Sequence, residues 1–477
     1  MTVPGESRSD ASTSAVSLDG RRFQFQGSVD QPFEPGDFVS VLDASGHRYI
    51  GQVDEVTFTM EGTLLGTGRI FGATNAAGTF DPRASAPFAA GVLRRADADT
   101  VDQLFSAGDL EVGSIVGSDS VTARLMSKRF NRHTFWCGQS GSGKTYALGV
   151  LLEQLLLHTA LPMVVFDPNA DFVRLRESNP RNGDAADSAD GHTLASRDIR
   201  ILRPHADGDD GLRVRFTDMS MKTRAAVLRL DPLLHREEYN ELVHLEERLD
   251  SLDPSGIVPT LEERNVPAAA ALRARIENLR TVDWSVWALG QAAATEVLDQ
   301  RPDATVLDIG GFTFPEEHLV VALAVLDDLW AKRETRRPLL IVIDEAHNLC
   351  SPEGESPLHV AVRERIIQIA AEGRKFGLWL LLSTQRPSKI HPSIISQCDN
   401  LVLMKMNSPL DLAELGETFG FAPPGMLARS PQFRQGEGLF AGGFIAAPAI
   451  VSVRPRLTRE GGIDVDVPIR GTERVEA

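Results

Sequence analysis

The chain has 477 residues, 42% of them apolar, and a formal net charge of −17. Its length exceeds one domain's usual share and its apolar content fills a sizeable core, so two or three domains are expected. The negative charge argues against a broad basic surface that coats nucleic acid, and leaves only nucleic acid held in a narrow channel lined by a few Lys or Arg.

Residues 1–16 are rich in Ser, Thr, Gly and Asp and read as a disordered tail. From 17 to 109 come short β-like runs, Phe23–Phe25, Phe38–Leu42, Tyr49–Val53, Val56–Thr59 and Thr67–Phe71, punctuated by turns such as Glu34-Pro35-Gly36-Asp37. Closely spaced short strands with Gly51 and Gly68 at corners suggest a small β-barrel, and nothing in it looks catalytic.

From 110 to 456 the pattern is α/β. Apolar runs at Phe135–Cys137, Met163–Phe166, Thr305–Ile309, Leu339–Ile343, Leu378–Leu382 and Leu401–Met404 alternate with helical stretches. That alternation implies right-handed crossovers and a mostly parallel, covered sheet. Between about 218 and 300 the spacing is helical, with Ala- and Arg-rich segments, and reads as a helical insertion in this domain. Residues 457–477 read as a C-terminal tail.

Cys137, Cys350 and Cys398 lack metal-ligand spacing and read as small buried hydrophobes. No apolar run approaches the length of a bilayer span and no signal segment opens the chain, so a soluble, cytoplasmic protein is expected.

The chemistry concentrates in Gly138-Gln139-Ser140-Gly141-Ser142-Gly143-Lys144-Thr145, which follows a strand-like run and precedes an apolar helix. This is the phosphate-loop pattern in the strand–helix context it needs. Glycines let the backbone approach a triphosphate and adopt positive φ, and the helix N-terminus adds partial positive charge. Lys144 can reach the β- and γ-phosphates of ATP, and the Thr145 hydroxyl can ligate Mg²⁺.

Asp344 and Glu345 end a buried apolar run. Two acids there are unfavourable unless a cation or ligand uses them; in phosphate-loop enzymes the first organises Mg²⁺ and the second polarises the attacking water. Gln385 ends the next strand, as a γ-phosphate sensor or a polar strand cap. Arg374, in Gly373-Arg374-Lys375-Phe376-Gly377, lies at the amino end of that strand, as a solvated turn or as a cation facing a neighbouring subunit's γ-phosphate.

The order of β-barrel, Arg132-His133, phosphate loop, Asp344-Glu345-Ala346-His347, Gly373-Arg374-Lys375-Phe376-Gly377 and Ser383-Thr384-Gln385-Arg386-Pro387-Ser388 resembles the HerA family of DNA-translocating ATPases, within the FtsK–HerA group. The resemblance implies a RecA-like P-loop NTPase core under an N-terminal barrel. It implies a homohexameric ring, ATP and Mg²⁺ at subunit interfaces and duplex DNA in a central pore. It further implies Lys144 and Thr145 on phosphate and metal, Asp344 on metal, Glu345 activating water and Gln385 sensing the γ-phosphate. Arg374 would be a trans arginine finger and Arg132 a second arginine near the nucleotide. Family members work with a partner, a NurA-like nuclease or another defence effector. An alternative is an ATPase scaffold that regulates a nuclease or sirtuin-like effector without hauling DNA. The chain departs from the family at Asp167-Pro168-Asn169-Ala170-Asp171-Phe172, where Asp-Pro-His-Gly-Glu-Tyr is frequent.

Overall fold

Alternation of buried and exposed side chains, clearest in Arg22–Ser28, shapes the first module. In the computed structural model, residues 13–28, 32–60, 62–75, 79–179, 189–246, 254–354 and 356–462 are described. Seven antiparallel strands form the module: β1 (Thr13–Ser17), β2 (Arg22–Ser28), β3 (Phe38–Asp43), β4 (Arg48–Phe58), β5 (Thr63–Thr74), the two-residue β6 (Phe80–Asp81) and β7 (Phe88–Arg95). Their order is β2-β1-β7-β3-β4-β5-β6, and β2 also pairs with β5, so six strands close into a barrel. Phe23, Phe25, Val39, Val41, Tyr49 and Leu64 fill it. Gly68 serves close packing: a Cβ there would stand 2.3 Å from both Gln52 O and the Phe23 ring.

Two details differ from expectation. The tail expected over 1–16 overlaps β1, whose Ala15 packs in the barrel core; residues 1–12 lie outside the described set. The runs Tyr49–Val53 and Val56–Thr59 belong largely to one strand, β4, because a register shift between Val53 and Glu55 absorbs Asp54, which pairs with Arg69 at 2.8 Å.

Helix α1 (Ala98–Phe105) leads to a second sheet, formed by β8 (Leu110–Ile115), β9 (Ser118–Leu125), β10 (His133–Cys137), β11 (Met163–Asp167), β12 (Ile199–Leu202), β13 (Ala304–Asp308), β14 (Leu339–Ile343), β15 (Leu378–Thr384), β16 (Cys398–Met404), β17 (Glu437–Gly442) and β18 (Ala449–Val453). Its order is β12-β13-β11-β14-β15-β10-β16-β17-β18-β8-β9. The pairs from β12 to β16 are parallel, and those from β16 to β9 antiparallel. The parallel strands are apolar runs buried on both faces, as covered strands must be. Between β12 and β13 stand the helices Met221–Val227, Arg236–Glu246, Pro254–Glu263, Pro267–Leu279 and Ala294–Asp299.

The barrel is tied to the second module by polar contacts. Gln52 Nε2 donates to Pro448 O at 2.7 Å, and Arg429 Nη1 donates to Pro35 O at 2.8 Å.

The segment after β18 is not a free tail where it is described. Arg456 and Glu153 are a buried pair, Nε to Oε1 3.4 Å, and Glu153 also accepts from Leu457 N, Thr458 N and Thr458 Oγ1. Glu153 lies on α2 (Lys144–His158), so residues 456–458 strap that helix; residues 463–477 lie outside the described set. Gly149 makes the room, since a Cβ there would stand 2.5 Å from Arg456 Cζ. All three cysteines are free and buried. Among the described residues no helix is long and apolar enough to cross a membrane.

Candidate active site

β10 ends at Cys137, and the loop that follows turns directly into α2. Gly141 and Gly143 take φ of 74° and 86°, a region open to glycine at little strain. The loop is anchored by its neighbours: Gly138 N donates to Thr384 O at 3.3 Å, Gln139 N to Lys405 O at 2.9 Å and Asn407 N to Gln139 Oε1 at 3.1 Å. Ser140 is exposed, whereas the buried Ser142 Oγ has no hydrogen-bond partner among the described residues. The first amides of α2 have no intrahelical carbonyl to serve and stand ready for an anion.

Three adjacent parallel strands, β10, β15 and β14, converge on Lys144. Its Nζ donates to Asp344 Oδ1 at 2.9 Å and Ser383 Oγ at 2.8 Å, and lies 3.2 Å from Glu345 Oε1. Ser383 Oγ in turn donates to Asp344 Oδ1 at 2.6 Å. Burial alone would lower the Lys144 pKa, but the charges of Asp344 and Glu345 outweigh it and hold the ammonium above its usual range.

Glu345 sits just past β14 at φ 42°, a left-handed conformation that costs a non-glycine residue about 1 kcal/mol. The turn aims its carboxylate back at Lys144. Gln385 Nε2 donates to Oε1 at 2.7 Å, and His347 Nδ1 lies 3.3 Å from Oε2.

Asp344 Oδ2 is buried and has no hydrogen-bond partner among the described residues. One oxygen each of Asp167, Asp171 and Asp344 fall within 4.8 Å of one another. Burial raises the Asp167 carboxyl to about 7, despite hydrogen bonds from Phe172 N and Asp171 N. Burial, then the Asp344 and Glu460 charges, raise Asp171 to about 6. An orphaned carboxylate oxygen among acids with raised pKa fits a hydrated divalent cation, and Thr145, beside Lys144 in the first turn of α2, is the hydroxyl nearest in sequence.

The structure brings together Gly138–Thr145, Asp344, Glu345 and Gln385. It does not bring Arg132 or Arg374 to this loop. Arg132 precedes β10, whereas the loop follows it, and five strand residues separate the two ends by about 16 Å. Arg374 lies before β15, at the same edge. Arg374 Nη1 contacts Asp399 Oδ2 at 2.7 Å and Arg132 Nε lies 3.8 Å from the same oxygen, with all three side chains 40–46% exposed. Between them and the core, His133 Nδ1 accepts from Leu380 N at 2.9 Å, which leaves Nε2 to donate to Ala370 O at 3.0 Å. Sequence reasoning gave no role to Ser383, Asp171 or His347, although Ser383 and His347 stand inside the motifs it used.

A phosphate loop whose lysine is held by a buried acid pair, at the carboxyl ends of parallel strands, is the site of a P-loop ATPase. The family model "Helicase HerA, central domain" matches residues 110–317, a span that contains the phosphate loop. The DNA double-strand break repair helicase HerA of Sulfurisphaera tokodaii is 24% identical over 398 residues, covering 77% of this chain and 73% of its own. The protein of the same name from Pyrococcus furiosus is 23% identical over 409 residues, 75% of this chain and 72% of its own. A probable helicase of Methanocaldococcus jannaschii is 24% identical, covering 79% and 72%. The solved structure of VirB4 of Thermoanaerobacter pseudethanolicus aligns with 73% of this chain and 96% of its own, at 14% identity and a TM-score of 0.48. The chain is a P-loop ATPase, and its residues 110–317 are similar to the central domain of HerA helicases.

Proposed function

We propose that this chain is an ATP-driven DNA translocase or helicase of the HerA type. It works as a homohexamer around duplex DNA, with a partner nuclease or other effector, in DNA end processing or antiphage defence. The observation that carries the reading is the position of Lys144, held by Asp344, Glu345 and Ser383 and facing a loop built for phosphate. The two HerA relatives are DNA double-strand break repair helicases, which supports DNA as the substrate.

In this reading a triphosphate draws Lys144 away from the two carboxylates. Thr145 and the Asp344 oxygen without a partner among the described residues would hold Mg²⁺, which would supply charge to the phosphate oxygens. Glu345, released from Lys144, accepts a proton from the attacking water, and Gln385 turns from Glu345 Oε1 to the γ-phosphate. Arg132 and Arg374 serve a neighbouring subunit's nucleotide. Their shared, exposed Asp399 is a partner they can exchange for phosphate oxygens.

The net charge of −17 favours a second reading, an ATPase scaffold whose hydrolysis gates a partner effector without processive movement on DNA. ATPase activity of the full chain, with and without linear duplex DNA and against Glu345→Gln, separates the two. A several-fold rise with DNA that vanishes in the variant is expected. Hydrolysis indifferent to DNA overturns the translocase reading in favour of the scaffold.

A further inference from the structure

His347 stands two residues past Glu345, on the short helix His347–Cys350. Its Nδ1 lies 3.3 Å from Glu345 Oε2 and 3.2 Å from Thr384 Oγ1. The Thr384 hydroxyl already accepts from Arg386 N at 3.0 Å. The imidazole therefore bridges two strand ends, that of β14, which carries the acids, and that of β15, which leads to Gln385.

The contacts of Glu345 divide into two kinds. On Oε1 are Lys144 at 3.2 Å and Gln385 Nε2 at 2.7 Å. Both are groups that a bound triphosphate claims in the reading above. On Oε2 are His347 Nδ1 and, at 3.4 Å, Gln385 N. Once Lys144 and the Gln385 amide turn to phosphate, Oε1 is bare and open to water, and the side-chain tether left on the carboxylate is His347. Glu345 needs such a tether. Its backbone is held at φ 42°, and a carboxylate that swings by about 1 Å loses on the order of a hundredfold in rate. Burial keeps the His347 ring below the usual histidine range, so the neutral ring carries one N–H; an Nδ1–H tautomer points it at Thr384 Oγ1, and a small turn of the ring brings it to Glu345 Oε2, 3.3 Å away.

We infer that His347 is a positioning residue for hydrolysis, which holds Glu345 through Oε2 and leaves Oε1 to the attacking water. The inference rests on the assignment of Glu345 as the water-activating group. Its geometry makes a distinctive demand: the donor must sit where Nδ1 sits. An asparagine amide reaches that position from the same backbone, whereas a glutamine amide extends to the position of Nε2. The ring lines an open cleft of about 530 Å³ together with Pro168, Gly310, His318, Ser351 and His359, so its removal empties no closed core.

The test compares His347→Asn, His347→Gln and His347→Ala in the full chain, by steady-state ATPase kinetics, nucleotide affinity and thermal melting. Alanine and glutamine are expected to lower kcat roughly ten- to hundredfold, with KM for ATP within about twofold, and asparagine to recover most of kcat. Should the alanine variant melt early, the asparagine–glutamine pair decides. Equal kcat in those two, an alanine variant as fast as the parent, or a loss confined to KM overturns the inference. Persistent hydrolysis in Glu345→Gln would instead strike at the reading of Glu345 itself, whatever the His347 variants do.

Discussion

Replacing Lys144 by alanine removes the cation that, among the described residues, contacts the buried Asp344 and Glu345. Lys144 is 4% exposed, Asp344 2% and Glu345 5%. At 2.9 Å the Lys144–Asp344 attraction is about 6 kcal/mol at an effective dielectric constant of about 20, and desolvation of both ions offsets much of it. Deleting the lysine leaves that desolvation uncompensated and sets Asp344 against Glu345. The expected loss of folding stability is about 3–5 kcal/mol, the range for a broken buried pair. Asp344→Asn in the same chain relieves the repulsion, so the double variant should be more stable than the sum of the single effects predicts, by about 2 kcal/mol. Guanidinium unfolding of the four proteins at pH 7 measures this coupling. Additivity within about 0.5 kcal/mol would refute the argument, because it would mean that Lys144 does not neutralise these acids in the folded protein. Nucleotide affinity should fall in both lysine variants, and the asparagine should not restore it.

Two further outcomes follow from the scaffold. Gly149→Ala drives a methyl group into the Arg456 guanidinium and should destabilise the protein by about 2 kcal/mol; with Arg456→Ala already in place the added loss should shrink, as chemical denaturation of the double variant will show. His133 is buried, and desolvation lowers its pKa to about 4 from an unfolded value of about 6.5. The neutral ring therefore contributes stability that is present above the unfolded value and is lost as pH falls from about 6.5 towards 4. The share lost by pH 5 is about 2 kcal/mol, and a His133→Asn variant, measured in parallel, should lack that component of the pH dependence.

The core of the site was legible in the sequence because its parts are contiguous. The phosphate loop is eight consecutive residues, and Asp344, Glu345 and Gln385 each close an apolar run, so a strand fixes where each one ends. The barrel was legible from its alternating runs, although β1 and β7 were not singled out, being short on large apolar residues. Arg132 shows how sequence proximity misleads. It lies six residues before Gly138, but those residues run as an extended strand, which carries the chain across the sheet. The strap over α2 could not be read at all. Glu153 sits in an apolar helix and its partners lie more than 300 positions away, so only the folded chain shows why an acid is there. The antiparallel strands β17, β18, β8 and β9 show the same limit: β18 pairs with β8 across most of the chain, and no local pattern encodes that distance.

The closure of the barrel bears on how other molecules can hold it. Because β2 pairs with β5, the six strands satisfy one another's main-chain groups, and only the two-residue β6 adds a margin. Among the described residues of the barrel a visiting protein finds no long ladder of vacant amides and carbonyls to extend as one more strand. Whatever grips this end of the molecule must read side chains at the turns and on the outer wall. Such recognition drifts readily under mutation, whereas the ring of strands beneath it stays fixed.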